Sequence, residues 1–215
     1  ITAELVEAHL SPKTRLVALA SCHFLTGYRI DIDAIGKMLG ERGVLFSLDA
    51  IQTCGAFPSS VEHVDFMSAD AHKWLLGVSG TGILYVRREL QPSLLPSHLG
   101  VTSMEDADTL HCTGDPYRVC PVPAARRVEE GGRNALGIAA LGASLELHAR
   151  IGADAIAKQV KAVTDRHCEG FRAAGGRVRS PRGEGEWSGI LLLEPPPSVD
   201  LQDLWRRLLL ERVVV

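Results

Sequence analysis

An α/β fold is what this sequence of 215 residues predicts, and three observations predict it. Short apolar runs recur through the first half of the chain ("LVALA", "VLFSLDA", "VDFMSAD", "GILYVRR"), as expected of strands in a largely parallel sheet. A helical stripe separates the first two runs, giving the strand–helix–strand rhythm of an open sheet. Asp49 and Lys73 fall at or just after strand C-termini, the edge at which such sheets bind ligands.

The opening "ITAELVEAHLSPKTR" reads as an amphipathic helix rather than a charged-then-apolar leader. "LVALA" (16–20) follows as a strand expected to be buried on both faces. After a turn at Thr26-Gly27, "DIDAIGKMLGERG" places Ile32, Ile35, Met38 and Leu39 on one helical stripe, with Gly43 as its stop. "VLFSLDA" (44–50) is the second buried strand, "IQTCGAFPSS" a short irregular or helical connection, and "VDFMSAD" (64–70) the third strand. "GILYVRR" (82–88) is the fourth. Residues 89–125 mix Pro, Gly, Asp and His without periodicity, which predicts a long surface-crossing segment. "NALGIAALGASLELHAR" (134–150) is helical and rich in small residues, which suits close packing on the sheet, and a second helix runs from about Ala153 to Ala174. "GGRVRSPRGEGEWSG" is turn-rich, "ILLLEP" a strand and "DLQDLWRRLLLERV" an amphipathic helix. The reading divides the chain into part of a large domain (1–150), an interdomain helix (151–174) and the start of a smaller α+β unit (175–215). Both ends read as cut, so an internal piece of a longer protein is expected.

Composition narrows the function classes. With 46% hydrophobic and 23% charged residues, the chain buries a full core and is not a disordered one. A net charge of −3 gives no basis for a nucleic-acid or anionic-membrane surface. The pairs Arg126-Arg127 and Arg206-Arg207 sit among apolar residues. No apolar run approaches the roughly 20 residues of a bilayer span. Five scattered cysteines (Cys22, Cys54, Cys112, Cys120, Cys168) with no CxxC predict reduced thiols in a cytoplasmic protein, not a disulfide framework or zinc site. His23, His63, Asp70 and His72 lack metal-ligand spacing, so no metal is expected. No G-x-S-x-G elbow is present, and Ser79 has no identifiable base.

The sharpest feature is "SADAHKWLLGVSGTG" (68–82), which sets Lys73 between an apolar strand and an apolar, glycine-rich bend, beside His72. A surface lysine needs no such surroundings; a lysine that must lose its proton and attack a carbonyl does. The longer stretch "SLDAIQTCGAFPSSVEHVDFMSADAHKWLLGVSGTGILYVRREL" carries a D-x-x-Q step, a V-D-F strand, an H-K pair and a G-x-G-x-L-Y-V run, in that order. These motifs closely resemble the core of the class V aminotransferase family, which uses pyridoxal 5′-phosphate (PLP) and includes cysteine desulfurases and isopenicillin-N-epimerase-like proteins. "GGRNALGIAALGASLEL" resembles a further family segment. The resemblance implies fold type I of PLP enzymes, a mostly parallel large domain with a smaller C-terminal domain, working as a homodimer.

Carried over residue by residue, the resemblance makes Lys73 the Schiff-base lysine. Asp49 becomes the carboxylate that keeps the pyridine nitrogen protonated, so that the ring accepts electron density from the substrate Cα. Gln52 becomes the donor to the phenolic oxygen, and His72 a phosphate contact. His23 is either a group approaching the ring from the strand ends or a turn histidine. Two positions depart from the pattern: Asp70 replaces a phosphate-binding hydroxyl residue, and Gly132, beside Arg133, replaces a Ser or Thr that would cross a dimer interface. Asp70 is expected to turn away from phosphate. The implied activity is that of a PLP-dependent enzyme acting at the Cα of an amino acid, with an amino-acid or keto-acid substrate. Transamination, β-elimination, epimerisation and desulfuration stay open, and no cysteine sits in the desulfurase context. A non-catalytic PLP-fold scaffold or binding protein is the rival from another class.

Overall fold

The computed structural model describes residues 1–105 and 120–214. Four strands, β1 (Leu16–Ala20), β2 (Leu45–Asp49), β3 (Phe66–Asp70) and β4 (Gly82–Val86), form one sheet in the order β1-β2-β3-β4. β1, β2 and β3 are mutually parallel, and β4 returns antiparallel to β3. The chain is α/β with a mostly parallel sheet, as the sequence predicts.

Helix α2 (Ile32–Glu41) forms where the stripe predicts it. Asp31 caps its N-terminus, its carboxylate accepting from the Ala34 amide at 2.9 Å. Gly43, at φ +66°, ends it in the left-handed conformation a glycine adopts freely. Ile35 and Leu39 are fully buried against Phe46, Leu48, Val64 and Met67; each such side chain contributes about 1.5–3 kcal/mol. Asp65 adds a polar lock at the entry to β3: its carboxylate accepts from the Phe46 amide and from Arg87 Nε at 2.7 Å.

Three expectations change. Helix α1 covers only Ala3–Ala8, because Pro12 has no amide to donate to the Ala8 carbonyl and its ring would clash there. β1 is not buried on both faces: Leu16, Ala18 and Ala20 are exposed, while Val17 and Leu19 turn partly inward. A continuous apolar run hides this alternation when the outward residues are small. "ILLLEP" pairs over only two residues, β6 (Leu193–Glu194) against β5 (Arg177–Val178), since Pro195–Pro197 follow without amide donors.

Helix α3 (Ala135–Ile151) is joined through Gly152 to α4 (Ala153–Ala173), and α5 (Leu201–Leu210) closes the described chain. α3 turns the stripe Gly137, Leu141, Ser144 and His148 inward and leaves Leu136, Ile138 and Leu147 exposed. The segment after β5 is anchored on the first sheet's turn region. Arg29 donates from Nε to the Trp187 carbonyl at 2.6 Å and lies 4.0 Å over the Phe57 ring. Part of the predicted surface-crossing segment lies outside the described residues; the rest is irregular chain with 3₁₀ turns at Arg88–Ser93 and Val101–Ser103, and a third, Ala125–Val128, begins at its end. Among the described residues no helix is long and apolar enough to cross a membrane.

Candidate active site

Strand pairing decides which side chains share a face. Asp49 pairs with Ser68, Ser68 with Leu84, and Asp70 with Gly82. Side chains alternate along a strand, so Asp49, Ser68 and Asp70 stand together on the face opposite Phe46, Leu48 and Met67. All three are exposed. With Ile51, Gly82 and Leu84 they line an open cavity of about 390 Å³ at the C-terminal ends of β2 and β3. Asp49 Oδ1 accepts from the Ile51 amide at 3.0 Å. Its other oxygen has no protein partner among the described residues.

Lys73 lies three residues beyond β3, in a turn closed by the Leu76 amide donating to the Lys73 carbonyl and the Gly77 amide to the Ala71 carbonyl. The side chain is half-buried, and its amine has no hydrogen-bond or ion-pair partner among the described residues. Gln52, also half-buried, follows Asp49 by three residues, and its amide is likewise uncommitted among the described residues. The loops after β2 and β3 meet: a Cβ on Gly55 would lie 2.9 Å from the Trp74 carbonyl oxygen.

The remaining predicted residues occupy the same end of the sheet. Asp70 turns to His72, its carboxylate 3.7 Å from Nδ1. His23 sits past the C-terminus of β1, where its Nδ1 accepts from the Thr26 amide at 3.2 Å. That bond places a neutral ring's proton on Nε2. Gly132 and Arg133 line a separate cleft of about 500 Å³ with Gly80, Thr81 and Asn134, and Arg133 is paired with Glu129 at 3.0 Å. Asn134 caps α3 by accepting from the Gly137 amide and donates to the Gly80 carbonyl and Thr81 Oγ1. It thereby ties α3 to the loop that follows Lys73.

Neither of the two thiols nearest the turn regions of the sheet, Cys22 and Cys54, is a poised nucleophile. Burial pushes the Cys22 and Cys54 thiols up from their ordinary range, which depletes the reactive thiolate. Cys168 is buried, and Cys112 lies outside the described residues. No group of three or more His, Cys, Asp or Glu suited to a metal ion occurs among the described residues.

Comparison with known proteins fits this arrangement. The profile of the family "Aminotransferase class-V" matches residues 1–189. The chain belongs to that family. Its relatives include a probable cysteine desulfurase of Pyrococcus abyssi, 29% identical over 85% of this chain and 44% of the relative. An uncharacterized aminotransferase, YcbU of Bacillus subtilis, is 32% identical over 74% of the chain and 41% of the relative. Among solved structures, the apo cysteine desulfurase of Thermococcus onnurineus NA1 superposes with a TM-score of 0.82 at 26% identity, over 93% of this chain and 48% of that one. The chain therefore spans about half the length of these relatives. The fold is type I of the PLP-dependent enzymes, and PLP is the family's cofactor.

The donor set fits that cofactor: a carboxylate for a cationic ring nitrogen, a neutral amide for a phenolic oxygen, and an unpaired amine for an aldehyde. Sequence reasoning passed over Asn134, Ser144 and His148, whose partners are backbone carbonyls, a hydroxyl and an amide rather than motif residues. The available signal was the polar i, i+4 pair Ser144 and His148 on the inward stripe of an otherwise apolar helix.

Proposed function

We propose that the protein to which this chain belongs is a PLP-dependent enzyme acting at the Cα of an amino acid, of the aminotransferase type, with an amino-acid or keto-acid substrate. The observation that carries the proposal is the uncommitted Lys73 amine beyond the C-terminal end of β3, with the free edge of Asp49 at the end of neighbouring β2. Bound PLP supplies an electron sink that makes a proton or a substituent at Cα labile. Lys73 would be the covalent attachment point, and its freed Nζ would hold and move the proton at Cα. Asp49 holds the ring nitrogen protonated, an ion pair of about 4 kcal/mol at an effective dielectric of roughly 20. Gln52 donates its amide N–H to the phenolic oxygen. His72 would contact the phosphate, with its ring oriented by the Asp70 carboxylate 3.7 Å from Nδ1. His23 presents Nε2–H from the end of β1.

A cysteine desulfurase, or a lyase or epimerase of the same family, is the second reading, favoured by the names of the relatives. The desulfurase reading requires a nucleophilic thiol other than Cys22 or Cys54. The proposal extends to a cytoplasmic homodimer divided into domains at residues 150 and 174. An absorbance scan of the full-length protein with PLP tests it. A visible band that borohydride bleaches is expected. A colourless protein that never takes up PLP would instead identify a scaffold that has lost the chemistry, the outcome Asp70 and Gly132 would then explain.

A further inference from the structure

The turn that carries Lys73 is strained and is held from outside. Leu76 has a φ of +52°, a left-handed conformation that side chains with a Cβ disfavour. Such strain persists where the surroundings over-determine the backbone, and it clusters at functional sites. Two donors from α3 supply the constraint. Ser144 Oγ donates to the Leu75 carbonyl, and His148 Nε2 lies 2.9 Å from the Trp74 carbonyl, an oxygen that can only accept, so the pair is a hydrogen bond when the ring carries a proton on Nε2. The two residues are four apart, so they share one face of the helix. The other His148 nitrogen, Nδ1, lies 2.8 Å from the Ser144 carbonyl one turn back.

A third wall comes from the loop that carries Asp49 and Gln52. Gly55 sits at φ +93°, and a Cβ there would lie 2.9 Å from the Trp74 oxygen and 3.2 Å from His148 Nε2. The single carbonyl of Trp74 is thus the point where three segments meet: α3, the loop after β2 and the turn after β3. Its neighbour in sequence is Lys73.

We infer that Ser144 and His148 are positioning residues for Lys73. By donating to consecutive carbonyls on its C-terminal side, they fix the direction in which the lysine leaves the backbone relative to Asp49 and Gln52. The inference rests on the proposed role of Lys73. It predicts that the donor matters, not the bulk, because the acceptors are backbone oxygens that no other described group serves.

The test uses the full-length protein as wild type, His148→Leu, His148→Gln and Ser144→Ala. Leucine keeps bulk and helix propensity but cannot donate, whereas the glutamine amide N–H reaches toward the same acceptor. PLP titration is read at the visible band, alongside thermal midpoints and hydrogen exchange of the Leu76 and Gly77 amides without cofactor. His148→Leu is expected to weaken PLP binding about tenfold, as when an acceptor is stranded. It should also shift the visible band and speed exchange at Leu76 and Gly77. His148→Gln should return affinity and band to within about threefold of wild type, since the glutamine amide supplies an N–H toward the same carbonyl. Ser144→Ala should show the same signs at about threefold, and it carries the test if His148→Leu does not fold. Wild-type affinity, band and exchange in both His148→Leu and Ser144→Ala would overturn the inference. So would equal losses in the leucine and glutamine variants with equally lowered midpoints, which would make the role one of packing. Borohydride reduction of wild type separates the two levels: pyridoxyl on another lysine overturns the proposed function with the inference, whereas normal labelling of Lys73 with unaffected variants removes the inference alone.

Discussion

Phe46 and Leu48 lie in the core with α2, almost wholly buried, while Asp49, one residue on in the same strand, faces the other way and is exposed. β3 repeats the division: Met67 and Ala69 point into the core, Ser68 and Asp70 away from it. One face of the sheet therefore holds the chain together and the other carries residues of the proposed site, interleaved at a period of two. This teaches that a single strand can serve both tasks without compromise. It also predicts that the two faces fail differently when altered.

The largest break lies beyond the open face. Lys73→Ala is expected to abolish covalent PLP attachment and turnover while the circular dichroism spectrum and unfolding midpoint stay those of wild type. Asp49→Asn comes next: it should still take up PLP but slow deuterium exchange at the substrate Cα by about a hundredfold or more, the scale of losing one preorganised electrostatic partner. Near-normal exchange would rule that role out. On the buried face the response should invert. Phe46→Ala is expected to lower the unfolding free energy by about 3–5 kcal/mol, while the fraction that remains folded keeps its visible band.

How much of this was legible beforehand depends on what kind of partner each residue has. β2, β3 and α2 were legible because Phe46, Leu48, Met67, Ile35 and Leu39 pack on one another, and apolar periodicity records that. Lys73 and Asp49 could be proposed from sequence because their residue types stand in a motif of fixed spacing. Ser144 and His148 left only the trace of two polar residues on an inward stripe, because their acceptors are backbone carbonyls rather than motif residues. The open face of β1 was hidden for another reason: Ala18 and Ala20 read as core yet are small enough to sit outward. The shortness of β6 was visible only in retrospect, through the prolines that follow it.

The smallest expected effect is electrostatic and distant from both faces. Lys161 and Arg182 hold the Asp165 carboxyl below its ordinary range. A depressed folded-state value means the stabilisation is present above the unfolded value of about 3.9 and is lost as pH falls through the lower folded value. Because the side chain is 39% exposed, the term should stay under about 1 kcal/mol. Asp165→Asn is expected to flatten the pH dependence of unfolding below about pH 4 and to leave PLP binding untouched. An altered PLP affinity in that variant would show that the small ribbon and α4 reach the site.

The division of labour between the faces stands or falls on one lysine. Full-length protein loaded with PLP, reduced with borohydride and digested should yield a single pyridoxyl-bearing peptide, the one containing Lys73. The label on Lys13, Lys37 or any other lysine, or no label at all, would contradict the account at its centre.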